Sequence, residues 1–395
     1  MRIALVITEL DPGGAENCLT QLACHLANPA NASNTGNEAN AVNEVRVYAI
    51  GPPPAAGHDH LVKLLQSRNI PVEICIPAGG RRSLLAFPSQ VKWLRQHFRQ
   101  FEPDVVQSML FHGNLLAALA IDPARSRLFG GVRVRQLERF RWWLQRWAAR
   151  KMQKLICVSD DVARHCIENE RIPADKVITI PNGIDLATVQ RAIADSKRET
   201  WAKFGLPANA RVILFVGRLH PQKGVEQLVR RANNLLRELP DHHLVLIGSG
   251  PLESRLKALA ASNSATSQTA GNRIHFVGWQ PDALTWMHRA ELLLLPAVYE
   301  GMPNVILEAM AVGLPFVAFD IDGIRQLLGD KADATLQIVA PGDFDRFESH
   351  AITLLESAPL RSACTKLNQL RIQQHFQLSH QLEKYRQLYL LVAGC

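Results

Sequence analysis

Short β-branched or aliphatic runs recur along this chain, each followed by a longer stretch with helical spacing, and the series occurs twice. The first comprises Ile3 to Ile7, Val45 to Ile50, Val72 to Ile76, Val105 to Gln107, Leu155 to Val158 and Val177 to Ile180; the second comprises Arg211 to Val216, His243 to Ile247, Ile274 to Val277, Leu292 to Leu295 and Pro315 to Phe319. Strands that alternate with helices form parallel sheets covered on both faces, which is why the runs are apolar throughout rather than at every second residue. With 395 residues and 47% hydrophobic content, the chain can bury two such cores, so the expected fold class is α/β with two Rossmann-like domains.

The turn Pro181-Asn182-Gly183-Ile184-Asp185 closes the first series, and a polar helical stretch to Phe204 precedes the second. This predicts domains at 1–185 and 186–377. Phe376, Leu382, Tyr385, Leu388, Tyr389 and Val392 predict a terminal amphipathic helix, about 378–395, that packs on one domain or bridges both. Asn28 to Glu44 reads as a low-complexity surface insertion and Ser262 to Asn272 as a second loop. Ser159, followed by Asp160 and Asp161, reads as a helix N-cap.

Seven scattered cysteines with no Cys-x-x-Cys and no Cys/His metal spacing point to unpaired thiols in a reducing compartment. The first apolar run is too short for a signal peptide, and no stretch has the roughly twenty apolar residues of a spanning helix, so the expectation is a cytoplasmic protein. A formal charge of +8 favours anionic partners without naming them. Part of it is concentrated between Arg133 and Lys154, where eight Lys or Arg stand against the single Glu138 and are interleaved with Phe140, Trp142, Trp143 and Trp147. Such a stretch suits a membrane interface or a polyanion groove, or else a helix that buries its tryptophans and solvates its arginines.

The segment from Tyr299 to Glu308 carries the most chemistry. Pro303 fits the first position of a helix, whose free N–H groups and positive dipole end make an anion site at the carboxyl edge of a parallel sheet. Gly301, Met302, Asn304 and Val305 line that start, and diphosphate is the natural ligand class. Glu300 precedes the helix and Glu308 lies about two turns inside it, so the two carboxylates reach different parts of one extended ligand, where each can accept two hydroxyl hydrogen bonds. A second anion site follows the strand ending at Gly217, where Arg218 and Lys223 share one loop and can neutralise a leaving diphosphate. A third strand end, with Gly248 and Gly250, permits close backbone approach.

The stretches GRLHPQKG, GSGPLESRL, FVGW and EGMPNVILE, within residues 208 to 330, closely resemble retaining glycosyltransferases of family four, which have the GT-B fold of two Rossmann-like domains around a cleft. The resemblance implies that Arg218 and Lys223 bind the donor diphosphate, that Glu300 contacts the donor sugar, that Glu308 holds the ribose hydroxyls and that Val277 lies beside the nucleobase. It also implies a UDP-sugar or GDP-sugar donor, a glycan or lipid-linked acceptor, no metal or cofactor, and no nucleic-acid partner.

In the amino half, Asp11-Pro12-Gly13-Gly14-Ala15-Glu16 is similar to the family's glycine-rich loop, which implies that Gly13 and Gly14 approach the transferred sugar and its phosphate. The same segment also reads as a plain helix start with Glu16 at the dipole. Phe111-His112-Gly113-Asn114 is similar to the family's aromatic-His-small-Asn pattern, which makes His112 the cleft histidine; His25, His97 and His165 lack comparable context. Asp320-Ile321-Asp322 has the spacing of metal-dependent transferases of another fold, but sits where the family has a strand-end turn. The first strand leads into Pro-Gly-Gly rather than Gly-x-Gly-x-x-Gly, which argues against a dinucleotide oxidoreductase. A catalytically silent sugar-nucleotide-binding subunit is the competing expectation.

Overall fold

A computed structural model of the chain describes residues 1–28, 43–55, 57–76, 86–194, 201–207, 209–266 and 273–393. It divides into two compact units, Met1–Asn182 with Gln381–Cys395, and Gly183–His380. Most of the Asn28 to Glu44 stretch and the end of the Ser262 to Asn272 stretch lie outside the described residues.

The first unit runs β1 (Arg2–Ile7), α1 (Gly14–Leu26), β2 (Glu44–Ala49), α2 (His60–Ser67), β3 (Val72–Ile74), α3 (Ala86–Phe101), β4 (Val105–Met109), α4 (Phe111–Ala120), β5 (Arg127–Val132), α5 (Arg139–Ala149), β6 (Lys154–Cys157), α6 (Asp160–Glu168) and β7 (Val177–Thr179). Its strands make a parallel sheet ordered β3-β2-β1-β4-β5-β6-β7. The order reverses between β1 and β4, so both strands deliver their carboxyl ends to one switch point, the usual place for a ligand crevice in such a sheet. Ile3 to Ile7 are all buried, as a strand covered on both faces requires. Ser159 caps α6 as expected, its hydroxyl accepting from the N–H of Val162 at 3.3 Å.

The second unit runs α7 (Leu186–Ala194), β8 (Arg211–Val216), α8 (Val225–Glu238), β9 (His242–Ile247), α9 (Glu253–Thr266), β10 (Ile274–Gly278), α10 (Ala283–Arg289), β11 (Leu292–Leu295), α11 (Asn304–Val312), β12 (Phe316–Phe319), α12 (Ile324–Leu328), β13 (Ile338–Val339), α13 (Phe344–Glu356) and α14 (Ala358–His375). Its parallel sheet is ordered β10-β9-β8-β11-β12-β13, with the switch point between β8 and β11. The helix α8 shows why the elements stack. Val225, Leu228, Val229, Ala232, Leu235 and Leu236 recur at helical spacing and are all buried, leaving the charged residues on the other face.

The last helix, α15 (Leu378–Ala393), belongs to the first unit from Gln381 onward. Leu382, Tyr385, Leu388 and Tyr389 are buried there. The ring of Tyr389 packs 5.1 Å from that of Phe129, and its hydroxyl donates to Gln107 Oε1 at 2.9 Å, which satisfies a polar atom with no access to water. The turn at Gly183 runs alongside the start of this helix, with Ile184 bridged to Gln377. A Cβ on Gly183 would meet the backbone of Leu378 at 2.7 Å.

Two strands were missed and two sequence expectations need correction. Strand β5 was not anticipated; its middle holds Gly130 and Gly131, a residue type depleted in strands. A Cβ on Gly130 would lie 2.5 Å from Met152 Sδ, and one on Gly131 would lie 3.1 Å from the backbone oxygen of Ser108, so both sit against close neighbours. The two-residue β13 is too short to leave a periodic signal. Helix α9 continues through Ser262 to Thr266, where a loop was expected. Pro303 is the N-cap residue of α11, in extended conformation, rather than its first helical residue.

Candidate functional site

In the second unit, the expected site residues gather at the carboxyl ends of adjacent strands. The ends of β8, β9 and β10 are tied edge to edge, because Gly217 N donates to Ile247 O at 3.0 Å and Gly248 N to Gly278 O at 2.8 Å. The two glycine-containing loops interlock further, with Leu219 N donating to Ser249 O at 2.9 Å. Only glycine allows this approach: a Cβ on Gly248, whose φ is +134°, would lie 2.0 Å from Gly217 O, and one on Gly250 would lie 2.5 Å from Leu219 O. Val277 is buried at the end of β10, and its carbonyl accepts from Gln280 Nε2 at 2.7 Å.

The β8 loop turns through the short 3₁₀ segment Pro221–Lys223 and stops at Gly224, whose φ is +64° and whose Cβ would lie 1.9 Å from Pro296 O. That closeness brings the loop against the segment after β11, where Val298 N donates to Gln222 O at 2.8 Å and Gln222 Nε2 to Tyr299 O at 3.0 Å. The outcome is an ion pair between Lys223 Nζ and the Glu300 carboxylate, with side chains only 20% and 13% exposed. Arg218 is exposed and makes no ion pair among the described residues, so its charge remains available to an anion.

The charge of the same lysine reaches Glu308. Although it keeps some accessible surface, the surrounding protein desolvates its carboxylate and pushes its pKa up to about 7, with the charge of Lys223 pulling the other way. Lys223 therefore interacts electrostatically with both glutamates. Gly301 and Met302 are buried, and Asn304 and Val305 form the first turn of α11. The N–H groups of Ile306 and Leu307 turn to Pro303 O, and those of Asn304 and Val305 precede any intrahelical bond. The Asp320-Ile321-Asp322 turn packs beneath this start: a Cβ on Gly323 would lie 2.4 Å from Gly301 O, and Asp320 pairs with Arg325 at 2.7 Å. Its carboxylate is thus engaged in holding the turn.

In the first unit, Gly13 and His112 follow the adjacent strands β1 and β4. Gly13 is extended and caps α1 without a side-chain bond. The carboxylate of Glu16 folds back over it, so that a Cβ on Gly13 would lie 2.3 Å from Glu16 Oε2. Burial raises the pKa of Glu16 to about 7, opposed by its own backbone N–H; Glu9 and Asp11 add to the rise and Arg133 opposes it. Gly14 opens the helix.

His112 sits in the first turn of α4, after Leu110 at φ +69°. It keeps an exposed surface, yet desolvation of its ring, followed by the charge of Arg141, holds its pKa below the usual histidine value. Its loop is fixed by a buried network in which Ser108 Oγ donates to Asn114 Oδ1 at 2.8 Å, Asn114 Nδ2 to Gly131 O at 3.1 Å, and Gly131 N to Asn114 Oδ1 at 3.1 Å. The roles of Asn114 and Gln222 in fixing these loops were not anticipated. Polar residues beside glycines are a weak sequence signal, and their partners belong to other elements, Gly131 of β5 for Asn114 and Tyr299 after β11 for Gln222.

Among the described residues no three His, Cys, Asp or Glu side chains group as cation ligands, the six described cysteines are unpaired, and no helix is long and apolar enough to cross a membrane.

Two family models match the chain, one described as Glycosyltransferase Family 4 over residues 12–188 and one as Glycosyl transferases group 1 over residues 210–357. Among curated relatives, the chain is 29% identical over 252 residues to UDP-Gal:alpha-D-GlcNAc-diphosphoundecaprenol alpha-1,3-galactosyltransferase of Escherichia coli, covering 63% of this chain and 62% of that protein. It is 30% identical over 258 residues to alpha-maltose-1-phosphate synthase of Mycolicibacterium smegmatis, covering 62% of this chain and 63% of that one. The chain thus spans under two thirds of the length of these relatives. Among solved structures, Anabaena HepE in complex with UDP superposes with a TM-score of 0.78 at 19% identity, covering 99% of this chain and 100% of that one. WaaG, a glycosyltransferase involved in lipopolysaccharide biosynthesis, superposes at 0.70 with 18% identity and full coverage of both chains.

Proposed function

Because this chain belongs to the GT4-type glycosyltransferases and has their GT-B fold, we propose that it moves a sugar, with retention of configuration, from a nucleoside-diphosphate sugar to a hydroxyl of a glycan or lipid-linked acceptor. The observation that carries this reading is the clustering of Lys223, Glu300 and Glu308 beside the start of α11.

On this reading the donor diphosphate binds between the first turn of α11 and the cations Arg218 and Lys223. Those charges stabilise the leaving group as the glycosidic bond breaks, so the reaction needs no metal. Glu300, already paired to Lys223, orients the transferred sugar, while Glu308 accepts hydrogen bonds from the ribose hydroxyls. Val277 and the Gly248 loop lie along the nucleobase, and Gly13, Gly14 and His112 serve the transferred sugar. No covalent nucleophile is assigned. The departing phosphate takes the acceptor proton, so attack and departure occur on one face of the sugar.

A UDP-sugar heads the donor panel, since HepE was solved with UDP and with UDP-glucose and the Escherichia coli relative is a UDP-galactose enzyme. That relative is named for a diphosphoundecaprenol-linked sugar, which favours a lipid-linked acceptor and work at a membrane surface. The deciding experiment measures nucleoside diphosphate release from UDP- and GDP-sugars with lipid-linked and soluble glycan acceptors, with and without chelator, and reads the anomeric configuration of the product. Turnover that withstands the chelator and yields a retained product is expected. No turnover across the panel would assign the fold to a silent sugar-nucleotide-binding subunit.

A further inference from the structure

The basic, tryptophan-containing stretch follows neither of the two sequence expectations completely, and the way it divides is informative. At about 100° per residue, α5 separates into three stripes. The first, Arg141, Trp142, Gln145, Ala148 and Ala149, faces the protein. Gln145 Nε2 donates to the buried Glu170 at 2.9 Å, Trp142 packs edge-on to His165 at 5.4 Å, and Trp142 Nε1 donates to Gln136 O at 2.7 Å. Arg141 pairs with Glu138 at 3.0 Å and lies 5.3 Å over the ring of Phe111. These contacts fix the rotation of the helix, so its outward face is not a matter of choice.

The second stripe holds Phe140, Trp143 and Trp147. Phe140 is 70% exposed and Trp143 65%, joined by Leu137 at 62% just before the helix. Trp147 is half-buried, with Lys151 Nζ 5.0 Å above its ring. The third stripe, adjoining the second, holds Arg139, Arg146 and Arg150, all exposed and without an ion pair or side-chain hydrogen bond among the described residues. Large aromatics seldom stand this exposed side by side on a soluble surface unless they meet something. Amphipathic aromatics flanked by guanidinium groups match the chemistry of a headgroup region, where rings enter the interface and cations meet lipid phosphates.

We propose that the outward face of α5, through Leu137, Phe140 and Trp143 with Arg139, Arg146 and Arg150, docks this chain on an anionic phospholipid bilayer. The docking stands independently of the transferase reading. Its consequence for substrate rests on that reading: Arg141, on the inner stripe of the same helix, reaches Phe111 and lowers the pKa of His112, so the candidate acceptor-side histidine lies on the helix packed next to the docking helix. A lipid-linked acceptor in the bilayer would then be delivered to that side of the first unit.

The test is sedimentation of the full chain with vesicles of phosphatidylcholine, with and without phosphatidylglycerol. Expected is binding only to the anionic vesicles, weakened by salt, and reduced at least about tenfold both by Phe140→Ser with Trp143→Ser and by Arg139→Gln with Arg146→Gln and Arg150→Gln. An Arg→Lys triple variant should retain most of the binding, which a simple loss of fold would not allow. Unchanged circular dichroism and melting temperature verify that the variants fold. Wild-type protein that ignores anionic vesicles, or aromatic variants that bind them as well as wild type, would overturn the proposal. So would a wild-type dimer that the aromatic substitutions convert to monomer without any vesicle binding. Donor turnover with a soluble acceptor, measured without vesicles, separates failure of docking from failure of the transferase reading.

Discussion

Lys223 is held by its own loop against Glu300, a residue 77 positions away, and the charge of the same lysine also reaches Glu308. One cation thus links the carboxylate assigned to the sugar with the carboxylate assigned to the ribose. Because the pair is mostly buried, removing either partner strands a charge, and the cost exceeds the value of an exposed salt bridge.

Lys223→Ala is therefore expected to lower the transfer rate about 100-fold or more, the range seen when one preorganised charge stabiliser is removed from an active site. Glu300→Gln should lower it as well, and the double variant should fall short of the sum of the two free-energy effects, since the residues act as a unit. Steady-state kinetics with the active donor checks both. Additive effects would mean that the pair does not work together.

Glu308 makes a pH prediction with opposite signs for binding and stability. Its ionised form is the one that accepts two ribose hydroxyls, so donor affinity should rise as pH increases through about 7 and lose that inflection in Glu308→Gln. For stability, the folded carboxyl keeps its proton between the ordinary value of 4.5 and about 7 while the unfolded chain releases it. The native state then loses stability as pH rises through that window, by at most about 1.4 kcal/mol per pH unit for this one proton. Glu16 and Glu170 carry rises of the same kind, so the variant should flatten the slope of chemical denaturation from about pH 5 to 7 only in part.

Gly248→Ala should be among the most damaging single-atom changes in the second unit. Its new Cβ would meet the carbonyl of Gly217 at 2.0 Å on a backbone at φ +134°, and neither backbone can retreat without breaking the ties between β8, β9 and β10. A loss of roughly 2–4 kcal/mol is expected from strain and loop separation. Thermal unfolding with and without nucleoside diphosphate checks it: wild type should be stabilised by the ligand and the variant much less.

His112 is expected to stay neutral to lower pH than an ordinary histidine, because the neutral form is favoured by desolvation and by Arg141. Arg141→Gln should raise its pKa, readable from the pH titration of its imidazole NMR signals. His112→Ala should lower kcat while leaving nucleoside diphosphate affinity near wild type. A loss of affinity equal to the loss in rate would place His112 outside the chemical step.

Much of the fold was legible in the sequence because parallel strands buried on both faces are apolar from end to end. That is how Ile3 to Ile7 and Leu292 to Leu295 stand out without an alternating pattern. Strand β5 escaped because its glycines carry a packing message that only the neighbouring Met152 and Ser108 explain. The residues around Glu300 were legible because a proline and a glycine at a strand end leave few other conformations. Asn114 and Gln222 were not, since each fixes a loop through partners brought near only by folding.

By itself the sequence determined the two parallel-sheet units, the family and the order in which cations, carboxylates and glycines follow the strand ends, because these depend on residue type and local spacing. Tertiary structure alone decided which of them act together. It set Lys223 against Glu300 rather than in solvent, and enclosed Glu308 enough to raise its pKa to about 7. It also turned Gln145 inward while leaving Phe140 and Trp143 outside. Pairing, burial and helix rotation are properties of three-dimensional neighbours, and each is fixed by contacts between segments that the linear chain keeps apart.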